Sequence, residues 1–191
     1  MRSWSSDPFL FLWLALLLLT LPLDWLTAFF FAAAFHELCH LLAIQLLGGR
    51  VCGIKISPGG AVLQTGGLGW GGELLSALAG PMGSLALLSL FRWLPRTALC
   101  AQVHGVYKLL PIFPLDGGRI LRCAAQLVSR KRANSICIWT ERIAVGGIFA
   151  LAILASFFLR LGMLPLILAS FLIIRALGRK ISCKASLLGV Q

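Results

Sequence analysis

Charge is scarce in this sequence, and acid is scarcest: six Asp and Glu stand against 17 Lys and Arg in 191 residues, and charged residues make up only 12% of the chain. A soluble globular domain of this length carries about twice that fraction, so the composition excludes an ordinary water-exposed surface. Tyrosine occurs once and histidine three times. The cysteines at 39, 52, 100, 123, 137 and 183 mostly fall in or beside apolar segments and lack the short paired spacings of a zinc finger, so they read as reduced, small packing residues and define no framework. No internal repeat and no soluble accessory segment is visible, so residues 1–191 read as a single membrane domain.

What is abundant is apolar sequence, 59% of the chain. Runs near the ~20 residues that a spanning helix needs mark about six candidate spans, roughly 8–23, 25–47, 72–94, 97–113, 137–159 and 163–178. The first could pass for a secretory signal, but it carries Arg2 alone and no small-residue cleavage site, so it reads as a span. The expected fold is therefore an all-α polytopic membrane protein. With both termini in the cytoplasm, Arg92, Arg96 and Arg160 fall outside, Lys108 lies within a span, and every other Lys and Arg falls inside. That bias explains the net charge of +11 without invoking nucleic acid.

Between the second and third spans the chain turns glycine-rich. Short alternating pieces at Val51 to Ile56 and Ala61 to Gln64, divided by Ser57-Pro58-Gly59-Gly60, predict a membrane-proximal β-hairpin or re-entrant loop over about 49–66. A strand edge there could receive an extended peptide.

The second span holds His36-Glu37-Leu38-Cys39-His40. Four residues of helix return to the same face, so both imidazoles can converge on one Zn²⁺ while Glu37 reaches a water beside it. Zinc would bring the pKa of that water toward ~7, and the carboxylate would take its proton as a carbonyl is attacked. Chance alone would produce the motif in such a chain on the order of once in a thousand. Three ionisable groups in one apolar span also carry a high cost unless they pair, bind metal or face a wet cavity.

A catalytic zinc usually has three protein ligands. Asp24, Glu73, His104, Asp116 and Glu141 are the candidates for the third. Asp24 is too far along the helix, and Glu73 and Glu141 sit near span ends. His104 is the nearest rival, inside the fourth span. Asp116 has the best context, in Lys108-Leu109-Leu110-Pro111-Ile112-Phe113-Pro114-Leu115-Asp116-Gly117-Gly118-Arg119, where Pro111 and Pro114 break the helix and the glycines permit unusual backbone. Broken backbone at membrane depth is tolerated where it lines a cavity. His36, His40 and Asp116 all fall toward the cytoplasmic side, where a site would open.

With both motifs in place the sequence resembles the site-2 protease family of intramembrane zinc metalloproteases, most of all its small bacterial branch that includes the sporulation enzyme processing a pro-sigma factor. The resemblance covers most of the chain. It implies one Zn²⁺ held by His36, His40 and Asp116, with Glu37 as catalytic base, and structural motifs at Gly80-Pro81 and from Pro111 through Pro114 to Gly117. It also implies a membrane-associated protein substrate, a pro-sigma or anti-sigma factor among the candidates, in a bacterial cell membrane. Regulatory membrane proteins or further copies of the chain are additional partners it could take. Two positions depart from the family pattern, Lys108 and Ser84, where relatives usually carry Asn. Lys108 could still contact the substrate or its transition state. A catalytically inactive relative that binds membrane proteins, and a metal or proton transporter, are the alternatives.

Overall fold

The computed structural model describes residues 3–6, 15, 18–57, 60–113 and 115–158. The chain divides into two compact units, 1–134 and 135–191. In the first unit the order is β1 (Ser3–Ser6), α1 (Leu23–Leu46), β2 (Arg50–Ser57), β3 (Gly60–Gly66), α2 (Trp70–Ala86) extended by a 3₁₀ turn (Leu87–Leu90), α3 (Pro95–Lys108) and α4 (Asp116–Val128). Helix α5 (Ala133–Phe158) accounts for the described part of the second unit.

Helix α1 shows why this chain suits a bilayer. Ala28, Ala32, His36, His40 and Ile44 recur every fourth residue and form its buried stripe, while Phe30, Phe31, Leu38, Leu42 and Leu46 point outward and are exposed. A helix that is apolar on its outer face and carries its polar groups inward inverts the soluble pattern. It ends at Gly48, whose φ of 74° only glycine adopts without strain, with Gly49 N–H donating to Ile44 O at 2.8 Å and Gly48 N–H to Gln45 O at 3.0 Å.

Small residues bring α2 against α1. Ser76, Ala77, Gly80, Pro81 and Ser84 are the buried positions of α2, and a Cβ at Gly83 would collide with Cys39 Sγ. Close backbone approach through small residues is how helices associate where lipid removes the hydrophobic drive between them. Ala32, Leu87 and Ala101, with Phe35 and Cys100 packed on them, form the apolar core that joins α1, the 3₁₀ turn and α3.

Among the described residues three helical segments are long and apolar enough to cross a membrane: Leu23–Leu46, Trp70–Leu90 and Ala133–Phe158. They correspond to the expected spans 25–47, 72–94 and 137–159. The expected span 97–113 is instead a helix of 14 residues, α3. At roughly 21 Å by helical rise it falls short of a ~30 Å hydrocarbon layer. The chain turns after Lys108 and cannot resume a helix through Pro111, which has no N–H to donate. The expected span 163–178 and most of 8–23 lie outside the described residues, as do Pro114 and Cys183. Six spanning helices are therefore not established; three candidate spans are.

The expected hairpin is present and slightly longer than its alternating pieces. β2 and β3 pair antiparallel from Arg50↔Gly66 to Ser57↔Gly60, with a bulge at Cys52. A third strand was not anticipated from the sequence: β1 pairs with β2 in parallel, Ser3↔Gly53 to Ser6↔Ile56, giving the order β1-β2-β3. Four residues, three of them serine, carry too little alternation to announce a strand.

Candidate metal centre

His36 and His40 are fully buried on α1 and turn their Nε2 atoms toward each other, 3.2 Å apart. Asp116, in the first turn of α4, brings Oδ2 to 2.9 Å from His36 Nε2 and 3.1 Å from His40 Nε2. Their three ligand atoms lie within 4.8 Å of one another. A tetrahedral zinc with bonds of ~2.0–2.2 Å holds its ligand atoms roughly 3.3 Å apart, close to these separations.

The outer nitrogens decide what the inner ones can be. His40 Nδ1 lies 2.6 Å from the carbonyl oxygen of Ser76, an atom that only accepts, so Nδ1 carries the proton and neutral His40 presents a bare lone pair at Nε2. That lone pair faces the acceptor-only Asp116 carboxylate. Two acceptors at 3.1 Å repel unless a cation lies between them, and the chemistry of this donor set therefore fits a zinc ion. His36 Nδ1 is 2.8 Å from Ser84 Oγ, whose backbone oxygen in turn accepts from Gln102 Nε2 at 2.7 Å. Contacts of this kind orient metal-ligating imidazoles and fix their tautomer.

Gly80 makes room for the centre. A Cβ there would collide with His40 Nε2 and lie 2.6 Å from His36 Nε2, so any side chain would occupy the place where the lone pairs meet. Pro81, next in α2, removes an N–H from the helical ladder near Ser76, the residue whose carbonyl holds His40. Gly117 and Gly118 do the equivalent work for Asp116. A Cβ at Gly117 would collide with Leu109 O, and one at Gly118 would lie 2.7 Å from the backbone of Ile112, so only glycines let α4 begin against the turn that contains Pro111. Asp116 does not cap its own helix; the cap position is Leu115, and the carboxylate is spent on the histidines.

Glu37 faces Lys108. The buried ammonium Nζ donates to Glu37 Oε1 at 2.7 Å and stands 4.0 Å from Asp116 Oδ2. This pairing was not legible from the sequence, where Lys108 stood out as a departure from the family pattern and as a candidate contact for the substrate. His104, one turn earlier on α3, sets its ring 5.0 Å from that of His36 and near-perpendicular to it. It lies outside the triad, but a second grouping of His36, Glu37 and His104 also has ligand atoms within 4.8 Å.

The remaining candidates go elsewhere. Asp24 forms an exposed ion pair with Arg96 at 2.9 Å. Glu73 accepts from Thr65 Oγ1 at 3.0 Å and from Cys123 Sγ at 3.8 Å. Burial, then the Glu73 carboxylate, pushes the Cys123 thiol up to about 11, so it stays a protonated packing group. Cys39, Cys52, Cys100 and Cys123 are free thiols. Glu141 belongs to α5 in the second unit.

Residues 9–113 match the Peptidase M50B-like family. Over 107 residues the chain is 32% identical to a zinc metalloprotease of Methanocaldococcus jannaschii, a stretch covering 49% of this chain and 32% of that relative. The aligned stretch thus spans about a third of that curated relative's length. The solved site-2 protease from Methanocaldococcus jannaschii superposes with a TM-score of 0.57 at 25% identity, covering 85% of this chain and 82% of that one.

Proposed function

Because this chain belongs to the Peptidase M50B-like family, we propose that it is an intramembrane zinc metalloprotease hydrolysing a peptide bond in or near the membrane segment of a membrane-associated protein. The observation that carries the proposal is the convergence of His36 Nε2, His40 Nε2 and Asp116 Oδ2 beside Glu37, on helices that present apolar faces outward. His36, His40 and Asp116 would hold one Zn²⁺ per chain. Once bound, zinc supplies Lewis-acid polarisation of the peptide carbonyl and acidifies water.

The protein's own groups do the rest. Glu37 takes a proton from the attacking water as its oxygen bonds the carbonyl carbon, and returns that proton to the leaving nitrogen as the C–N bond breaks, leaving a carboxylic acid and an amine. Ser76 and Ser84 keep the imidazoles aimed, and Gly80 keeps their meeting point clear. A helical substrate shields its carbonyls by hydrogen bonding, so it must unwind locally before attack. An extended segment so released could add to the sheet, at the outer edge of β3 or in place of β1, which covers β2. The site would open toward the cytoplasm, with both termini on that side of a bacterial membrane, and a pro-sigma or anti-sigma factor is the substrate class that the family resemblance suggests.

The Lys108–Glu37 ion pair favours one second reading, a relative that binds membrane proteins without cutting them, since the base is already engaged. Glu37→Gln separates the two. The substitution should leave one zinc per chain by atomic absorption and lower cleavage of a membrane-reconstituted substrate by about 10²–10⁴-fold, the contribution of a positioned base. Cleavage unchanged by Glu37→Gln, or no cleavage by the zinc-loaded native chain, would refute the protease reading.

A further inference from the structure

One buried nitrogen beside the centre has no partner among the described residues: Nε2 of His104, a residue only 8% exposed. Buried polar groups left without a bond are few in folded proteins and costly to keep, so each asks for a reason. This one has a suggestive address. His104 and Lys108 are four residues apart and share a face of α3, and the His104 ring meets those of Phe29, at 5.9 Å, and His36, at 5.0 Å, in near-perpendicular contacts. A ring nitrogen of His104 lies within 4.8 Å of ligand atoms on both His36 and Glu37.

Lys108, the residue first expected to meet the substrate, is already committed, with Nζ on Glu37 at 2.7 Å. A carbonyl attacked by water held at Glu37 must come close to that carboxylate, which puts its oxygen within reach of a donor already beside it. We propose that two tasks are divided between two residues one turn apart. His104 is a catalytic residue whose ring N–H donates a hydrogen bond to the scissile carbonyl oxygen as negative charge develops there. Lys108 is a positioning residue that holds Glu37. For this task the ring carries its proton on Nε2, and its edge contacts with Phe29 and His36 restrain it. The proposal rests on the protease reading.

The test uses the zinc-loaded full chain in vesicles of phosphatidylethanolamine and phosphatidylglycerol. One probe is a quenched-fluorescent peptide with an apolar helix interrupted by Asn-Pro, and a second is a peptide phosphonamidate that mimics the tetrahedral transition state. His104→Phe keeps the ring packing and removes the donor; His104→Gln restores an N–H at similar reach. With His104→Phe, kcat should fall roughly 10²–10³-fold, the effect of removing one oxyanion donor, with KM little changed and one zinc retained. Phosphonamidate affinity should fall with kcat, and His104→Gln should recover at least about tenfold of the loss. Native kcat and phosphonamidate affinity in His104→Phe would overturn the assignment. So would equal losses in both variants, which indicate packing, or loss of zinc in either, which indicates a ligand. If the native chain binds zinc but leaves the peptide uncut, the protease reading fails by itself, while phosphonamidate binding still reports whether His104 makes the contact.

Discussion

The helical cage around His36 and His40 and the three-stranded sheet beside it are built on opposite terms. In the cage, side chains from α1, α2 and the start of α4 meet with separations near 3 Å, and the outer imidazole nitrogens are bonded to Ser84 and to the Ser76 carbonyl. No spare volume remains, since a single methyl at Gly80 would fill the centre. The sheet is held by backbone pairing and joined to α2 through Thr65 and Glu73 at 3.0 Å. Metal geometry tolerates errors of tenths of an ångström, so it is placed on packed helices; strand addition needs only a backbone edge and can vary in register.

The contrast makes ordered predictions. The largest effect should come from Gly80→Ala, which puts a methyl where the Nε2 lone pairs converge: zinc content by atomic absorption should fall to background, with the helical circular dichroism kept. A zinc-replete Gly80→Ala variant would break the picture of a cage without spare volume. Ser84→Ala should act less severely. It removes the hydroxyl at His36 Nδ1 and should weaken zinc by about 10–100-fold in a chelator competition, the range for contacts that orient a ligand. Thr65→Val should act least on the metal. It cuts the tie between β3 and Glu73, so zinc affinity should stay native while KM for a membrane peptide rises a few-fold; a zinc loss as large as that of Ser84→Ala would mean the sheet is part of the cage after all.

Legibility in the sequence followed the same divide, by distance along the chain. The four-residue spacing of His36 and His40, the apolar runs of the three candidate spans and the pairing of β2 with β3 are local, and each was readable because helix and strand periods are local properties. The length of α3 was misjudged because apolar content continues to Phe113 while the helix ends at Lys108. Composition there describes environment, and the backbone obeys the prolines. β1 was missed because its pairing depends on a partner about 50 residues away, a relation that four residues do not encode.

The sequence by itself determined that two histidines share one face of an apolar helix with a carboxylate beside them, and that this helix suits a bilayer, because four-residue spacing and apolar runs are local properties. Asp116 stood as the best of several candidates, three residues beyond the stretch that matches the family. Only the tertiary structure decided that Asp116 reaches the histidines across 80 and 76 positions, that a backbone carbonyl sets the tautomer of His40, that Lys108 is engaged with Glu37, and that His104 keeps an unspent nitrogen beside them. The physical reason is common to all four. Hydrogen bonds and ion pairs depend on angles and on tenths of an ångström between segments that only packing brings together, and no spacing along the chain carries that information.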